Sequence, residues 1–339
     1  MNRNDINRII VDFAKNNLSP QETERREIAK EYEKLKTFLD GKTLQNGSYA
    51  RFTSTTPVHD LDVIYVLPEE ISAPLKKMIL MESGPLDISN ILESLAEKLR
   101  HDYASQARVK TQPHSVGIYF GSDDDFSIDV VPAIPIENEM FRVPESSHLS
   151  IPRRRKLYES NPTLKWIKSD PKGYIKDASN VDERTNGYFR KTAKFVKKWK
   201  NRCKEIDPNF RLKSFHLELV VTEFFQNAPA LICFDVVEKF FINLNQKVEK
   251  PQIPDKADKN MFVDQYLVDL TEDERSTILK FRNEALSYIK EMEVAQSETK
   301  CLELIKALLF NSKQGNAPNV ISNGATRFSP AYSKPYCII

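Results

Sequence analysis

Glycine is scarce in this chain: nine residues in 339, none of them between Tyr188 and Gln314. Neither GxGxxG nor GxxxxGK[ST] occurs, which excludes the glycine-rich phosphate loops of dinucleotide folds and P-loop enzymes. The four cysteines, Cys203, Cys233, Cys301 and Cys337, are far apart, with no CxxC and no Cys/His cluster. That spacing argues against a structural zinc or a disulfide framework and leaves four free thiols in a reducing compartment. Cys337 stands third from the end, so the prenylation pattern is not met. Neither sign of charge is in excess: 50 basic and 48 acidic residues leave a formal +2, with no global pull toward nucleic acid or an anionic membrane. No apolar run approaches the roughly 18 residues of a membrane span. The polar start MNRNDINRII is no signal peptide. The expectation is a cytoplasmic protein with no membrane partner and no strong nucleic-acid signal.

What is present is a two-part organisation. The first half mixes helices and strands. Residues 3–16, 20–39 and 86–103 read as helices, the last from Ile88, Ile91, Leu92, Leu95 and Leu99 at helical spacing. Asp60 to Leu67 reads as a strand stopped by Pro68. SVGIYF (115–120) and FSIDVVPAI (126–134) read as two more, joined through GSDDD as a hairpin. The second half is helical over 189–203, 212–225, 271–292 and about 297–310, and the third of these opens on a capping box, Thr271-x-x-Glu274. Residues 313–339, rich in Asn, Ser, Gly, Pro and Ala, read as an extended or flexible tail. The division expected is 1–165 as a catalytic core with N-terminal helices, 166–312 as a helical lobe, and 313–339 as the tail.

The chemistry concentrates in LQNGSYARFTSTTPVHDLDVIYV, residues 44–66. Strand side chains alternate faces, so Asp60 and Asp62 point one way while Leu61, Val63 and Tyr65 point the other. Two carboxylates on one face repel each other and are costly to bury unless a cation lies between them. Asp129 is a lone acid in the apolar run SIDVVPAIP. If its strand neighbours that of Asp60 and Asp62, three carboxylates share one site, a donor set that suits hard divalent cations.

Gly47-Ser48, then Asp60-Leu61-Asp62, then the later strand residue Asp129, resembles the nucleotidyltransferase superfamily that includes DNA polymerase β. More narrowly the chain resembles the cyclic GMP–AMP synthase and oligoadenylate synthase branch, whose bacterial members are the cyclic-oligonucleotide synthases of antiphage defence (CD-NTases). The resemblance covers about residues 20–312. It implies an α+β fold, a polymerase-β-like core sheet with a helical C-terminal lobe. It also implies two Mg²⁺ (or Mn²⁺) ions on Asp60, Asp62 and Asp129, NTP substrates with ATP among them, and a cyclic di- or trinucleotide second messenger as product. Phe195-Val196-Lys197-Lys198-Trp199 and Leu212-Lys213-Ser214-Phe215-His216-Leu217-Glu218 are similar to family segments. By that similarity Lys197 and Ser214 contact the triphosphate, Phe215 stacks on the donor base, and Gly47 and Ser48 contact phosphate. Phe52-Thr53 departs from the family, which commonly has a small residue, often Gly, before that Thr.

Other readings of the same residues stay open. Gly-Ser is also common turn chemistry, the lysines of 194–200 also suit a solvated helix face, and Phe215 also suits a core. Asp123-Asp124-Asp125 and Arg153-Arg154-Arg155-Lys156 read as solvated charge, and His59, on the face opposite the carboxylates, as packing. Two rival functions are an RNA-tailing or CCA-adding enzyme of the same fold and a catalytically idle scaffold. The tail, ending Tyr336-Cys337-Ile338-Ile339, leaves room for an accessory regulator or a conjugation partner.

Overall fold

A computed structural model describes residues 1–40, 42–80, 88–112, 114–122, 125–144 and 166–311. Seven strands form one mixed sheet: β1 (Thr43–Asn46), β2 (Asp60–Val66), β3 (Arg108–Thr111), β4 (Val116–Phe120), β5 (Phe126–Pro135), β6 (Phe141–Pro144) and β7 (Trp166–Ser169). The order is β1-β2-β5-β4-β3, with β6 on the far end of β5 and β7 on β6. Among the described strands only the β2–β5 pairing is parallel, and the other neighbours are antiparallel. The three strands expected from sequence are present nearly residue for residue, and β4–β5 is the expected hairpin, with Phe120 opposite Phe126. The four strands not anticipated are each four residues long, too short for alternation to stand out.

The helices are α1 (Arg3–Phe13), α2 (Glu22–Phe38), α3 (Gly47–Ala50), α4 (Glu69–Leu80), α5 (Ile88–Tyr103), α6 (Pro171–Arg184), α7 (Tyr188–Ile206), α8 (Ser214–Asn227), α9 (Cys233–Lys247), α10 (Glu272–Val294) and α11 (Glu298–Leu309). The capping box forms as expected: Glu274 N–H donates to Thr271 Oγ1 at 3.2 Å, and Thr271 N–H donates to Glu274 Oε2 at 3.0 Å.

Two large cores result. In the first, Leu61, Val63, Ile128 and Val130 on one sheet face pack against Ile28 and Leu35 of α2 and Leu92, Leu95 and Leu99 of α5. Leu61, Val63, Ile128 and Val130 thus go to the helices, and the alternate positions go to the opposite face, the aspartates at one end of it and Ile64, Val131 and Ala133 further along, packed with Phe141 and Val143. The second core is all-helical and centres on Trp199 of α7, whose ring meets those of Phe210, Phe240 and Phe241 at centroid distances of 5.3, 6.2 and 4.8 Å. Helix α1 precedes the sheet in sequence yet packs in this second core, because Ile6, Ile9, Ile10 and Phe13 form one apolar stripe. Among the described residues, no helix is long and apolar enough to cross a membrane. The run 153–156, Asp123, Asp124 and the tail from 313 lie outside the described residues.

Candidate active site

The parallel register of β2 and β5 sets Asp62 directly beside Asp129 and Asp60 beside Ser127. Asp60 lies two residues before Asp62, so all three carboxylates rise from one face of the sheet. On the outer side of Asp62, β1 brings up Asn46, and the chain then turns at Gly47 into the short helix α3. Gly47 has φ +68°, and a Cβ there would sit 1.7 Å from Asp62 Oδ2. Both the left-handed backbone and the close approach require glycine. Gly47 therefore forms a cradle against the Asp62 carboxylate, and Ser48 follows it in α3.

On the other side, Gly117 of β4 stands opposite Asp129. A Cβ on Gly117 would meet Gln112 Nε2 at 2.5 Å. The vacated space lets that amide donate to Asp129 Oδ1 at 2.9 Å and to the Tyr119 hydroxyl at 2.9 Å. Gln112 was not anticipated: it comes from the end of β3, and only the β3–β4–β5 pairing brings it to Asp129.

The donor set fits a divalent cation. Six carboxylate oxygens on one face are hard ligands of the kind Mg²⁺ and Mn²⁺ take, and the glycine cradle leaves Asp62 room to serve one. Among the described residues, no three acidic, His or Cys side chains stand close enough together to hold a metal ion as they are placed.

The loop after α3 joins the sheet to the helical side. Thr53 N–H and Ser54 N–H donate to the Ser48 carbonyl oxygen at 2.9 and 3.1 Å. Thr53 Oγ1 accepts from Lys197 Nζ at 2.8 Å and donates to Glu218 Oε2 at 2.7 Å. Arg51 Nε donates to Glu218 Oε1 at 2.6 Å, and Lys197 Nζ also donates to Glu218 Oε2. Burial alone would raise the Glu218 carboxyl, but Arg51 and Lys197 override it and pull it down to about 2. Lys194, one turn before Lys197, donates to Ser19 Oγ at 2.9 Å. Burial, with Arg25, Lys197 and Arg190 nearby, pushes its ammonium down to about 8.

Of the residues expected on the helical side, Lys197 is buried between Thr53 and Glu218, and Ser214 begins α8. Phe215 is buried too, its ring edge-on to Tyr174 at 5.0 Å and under the Arg51 guanidinium at 4.6 Å. Lys197 and Phe215 meet the carboxylate side through Thr53 and Arg51. Phe52, where the family commonly has a small residue, keeps a left-handed φ of +60° and is 61% exposed, with the Arg190 guanidinium 4.8 Å from its ring. His59 is exposed rather than packed, with Nδ1 3.2 Å from the Asp125 carbonyl oxygen.

The family model described as "Second Messenger Oligonucleotide or Dinucleotide Synthetase domain" matches residues 5–181, more than half of the chain. A cyclic AMP-AMP-AMP synthase of Escherichia coli (strain MS 115-1) is 24% identical over 233 residues, 64% of this chain and 64% of that protein. The match therefore spans a little under two thirds of that relative. E. coli MS115-1 CdnC, solved in complex with HORMA-deltaN, superposes with a TM-score of 0.67 at 18% identity, over 91% of this chain and 98% of that one. Vibrio cholerae DncV cyclic AMP-GMP synthase gives 0.53 at 15% identity, over 79% and 68%. The fold is the polymerase-β-like core sheet with a helical lobe.

Proposed function

The chain belongs to the Second Messenger Oligonucleotide or Dinucleotide Synthetase family, and on that premise we propose that it is a divalent-metal-dependent nucleotidyltransferase making a cyclic di- or trinucleotide from NTPs. The observation that carries this reading is the register of Asp62 beside Asp129, with Asp60 on the same face and Gly47 closed against Asp62. We assign Asp60, Asp62 and Asp129 as the metal ligands and Gly47 and Ser48 as the phosphate-facing turn. Lys197, Ser214 and Phe215 are the nucleotide-binding contribution of the helical lobe. Residues 1–165 supply the carboxylates and 166–312 the closing lobe.

When bound, Mg²⁺ or Mn²⁺ neutralises triphosphate charge and acidifies the attacking hydroxyl. In the step itself a ribose oxygen forms a bond to the α-phosphorus, the bond to the bridging oxygen breaks, and pyrophosphate leaves. The hydroxyl proton passes to Asp129, whose carboxylate Gln112 orients by its hydrogen bond to Oδ1. Repetition of the transfer within the same cleft, each time with loss of one pyrophosphate, ends in the transfer that closes the ring: two in all for a cyclic dinucleotide, three for a trinucleotide. ATP is the first substrate to test, because one relative is a cyclic AMP-AMP-AMP synthase and E. coli CdnC was solved with ATP. The complex of that CdnC with HORMA-deltaN supports an accessory protein partner for this chain, and the family resemblance supports a role in antiphage defence.

The test is incubation of the protein with all four NTPs, labelled one at a time, with Mg²⁺ or Mn²⁺, followed by phosphatase. A phosphatase-resistant product whose mass is that of a cyclic oligonucleotide is expected. Extension of an added RNA primer instead would replace this reading with the RNA-tailing one.

A further inference from the structure

One carboxylate, outside the three aspartates, receives side chains from both halves of the molecule. Glu218 of α8 is 2% exposed and accepts from Arg51 Nε at 2.6 Å, from Thr53 Oγ1 at 2.7 Å and from Lys197 Nζ. Arg51 is itself buried and lies over the Phe215 ring, and Thr53 is fully buried. Arg51 and Thr53 flank Phe52, whose left-handed backbone is unfavourable for a bulky residue and is retained here between two anchored neighbours. The same turn holds Ser48, because Thr53 N–H and Ser54 N–H both close onto its carbonyl oxygen. Where Thr53 goes, Ser48 follows. A buried carboxylate is tolerable only with its partners in place, so this cluster has one well-defined arrangement rather than many.

We propose that Glu218 is a positioning residue: through Arg51, Thr53 and Lys197 it ties the helical lobe to the turn 47–54 and so sets Gly47 and Ser48 against Asp62. Its consequence for turnover rests on the nucleotidyltransferase reading; its consequence for the turn does not. Lys197 is one of the cluster's supports, its ammonium held by a hydroxyl and a carboxylate rather than by solvent.

The experiment uses the full chain, with Thr53→Val, Glu218→Gln and Glu218→Asp. Thr53→Val removes only the bridging hydroxyl and no charge, so it keeps the test open if Glu218→Gln does not fold. Amide hydrogen exchange of residues 47–54 is read alongside kcat and KM for ATP. For Thr53→Val, exchange in 47–54 should rise about tenfold or more while α9 exchanges as in the wild type. Its kcat should fall about tenfold or more with KM for ATP within about threefold, the pattern of a contact that matters mainly in the transition state. Glu218→Asp, which keeps the charge, should recover part of what Glu218→Gln loses. Wild-type exchange in 47–54, or a wild-type kcat, in folded Thr53→Val would overturn the proposal. If the wild-type protein turns over no NTP, the proposed function fails, and exchange in 47–54 still decides whether Glu218 holds the turn.

Discussion

Asp62 and Asp129 are register partners across the one parallel pairing in the sheet, and each is flanked on its outer side by a strand that carries an accommodating residue. Beside Asp62 that residue is Asn46, which leads into Gly47; beside Asp129 it is Gly117, which admits Gln112. Both glycines are explained by atoms of the carboxylate site rather than by turn chemistry alone.

Gly47→Ala places a methyl group where Asp62 Oδ2 lies, at a φ of +68°. The left-handed backbone alone costs about 1–2 kcal/mol for a residue with a Cβ. Turnover should fall about a hundredfold or more, while the thermal midpoint drops by only a few degrees, because Gly47 itself contributes no side chain to either large core. Steady-state kinetics and a melting curve on the same preparation check this.

Gln112→Leu removes the amide that donates to Asp129. A hydrogen bond to a charged group contributes about 1.5–3 kcal/mol, so kcat should fall roughly tenfold to a hundredfold. KM for ATP should change little if Gln112 acts through the Asp129 carboxylate it donates to. A loss confined to KM would remove Gln112 from the site.

Acid stability should depend on Glu218. Its carboxyl is lowered from 4.5 to about 2 in the folded chain, so its contribution is fully present above pH about 4.5. That contribution is lost as pH falls through about 2, because the unfolded chain then binds the proton first. In Glu218→Gln the corresponding part of the acid limb should flatten between these values, measured by urea unfolding at stepped pH. An acid limb identical to that of the wild type would contradict the ion-pair geometry.

Lys194 carries the opposite sign. Its folded ammonium is lowered from 10.5 to about 8, so below pH 8 the protein bears the cost of a buried cation. Stability should therefore rise between pH 8 and 10.5 from this group. Lys194→Met should stabilise the chain at pH 7 by about 1–2 kcal/mol. Chemical denaturation at pH 7 and pH 10 checks both statements.

The aspartate pair was legible from sequence because strand alternation is a strict rule: Asp60 and Asp62 had to share one face and Leu61 and Val63 the other, whereas Asp129 joins them through the parallel register of β2 and β5. The short strands were not legible, and with them went Gln112, whose approach to Asp129 depends on pairing across three strands. Glu218 carries a signal of its own in the sequence, though not one that names its partners. An acid inside the apolar run Leu217-Glu218-Leu219-Val220-Val221 is buried only if cations come to it, and those cations, Arg51 and Lys197, lie far away in sequence. The stripe of α1 was readable, but amphipathicity names a buried face and not its partner, so its place in the helical core had to be seen.

The most direct test of the account is cyclic-oligonucleotide synthesis by the Asp60→Asn/Asp62→Asn double variant, beside the wild-type protein with NTPs and Mg²⁺ or Mn²⁺. A phosphatase-resistant product is expected from the wild type and none from the variant, with the two proteins sharing one circular-dichroism spectrum. Product from the variant at the wild-type rate would contradict it, because the chemistry would then not pass through the carboxylates of β2.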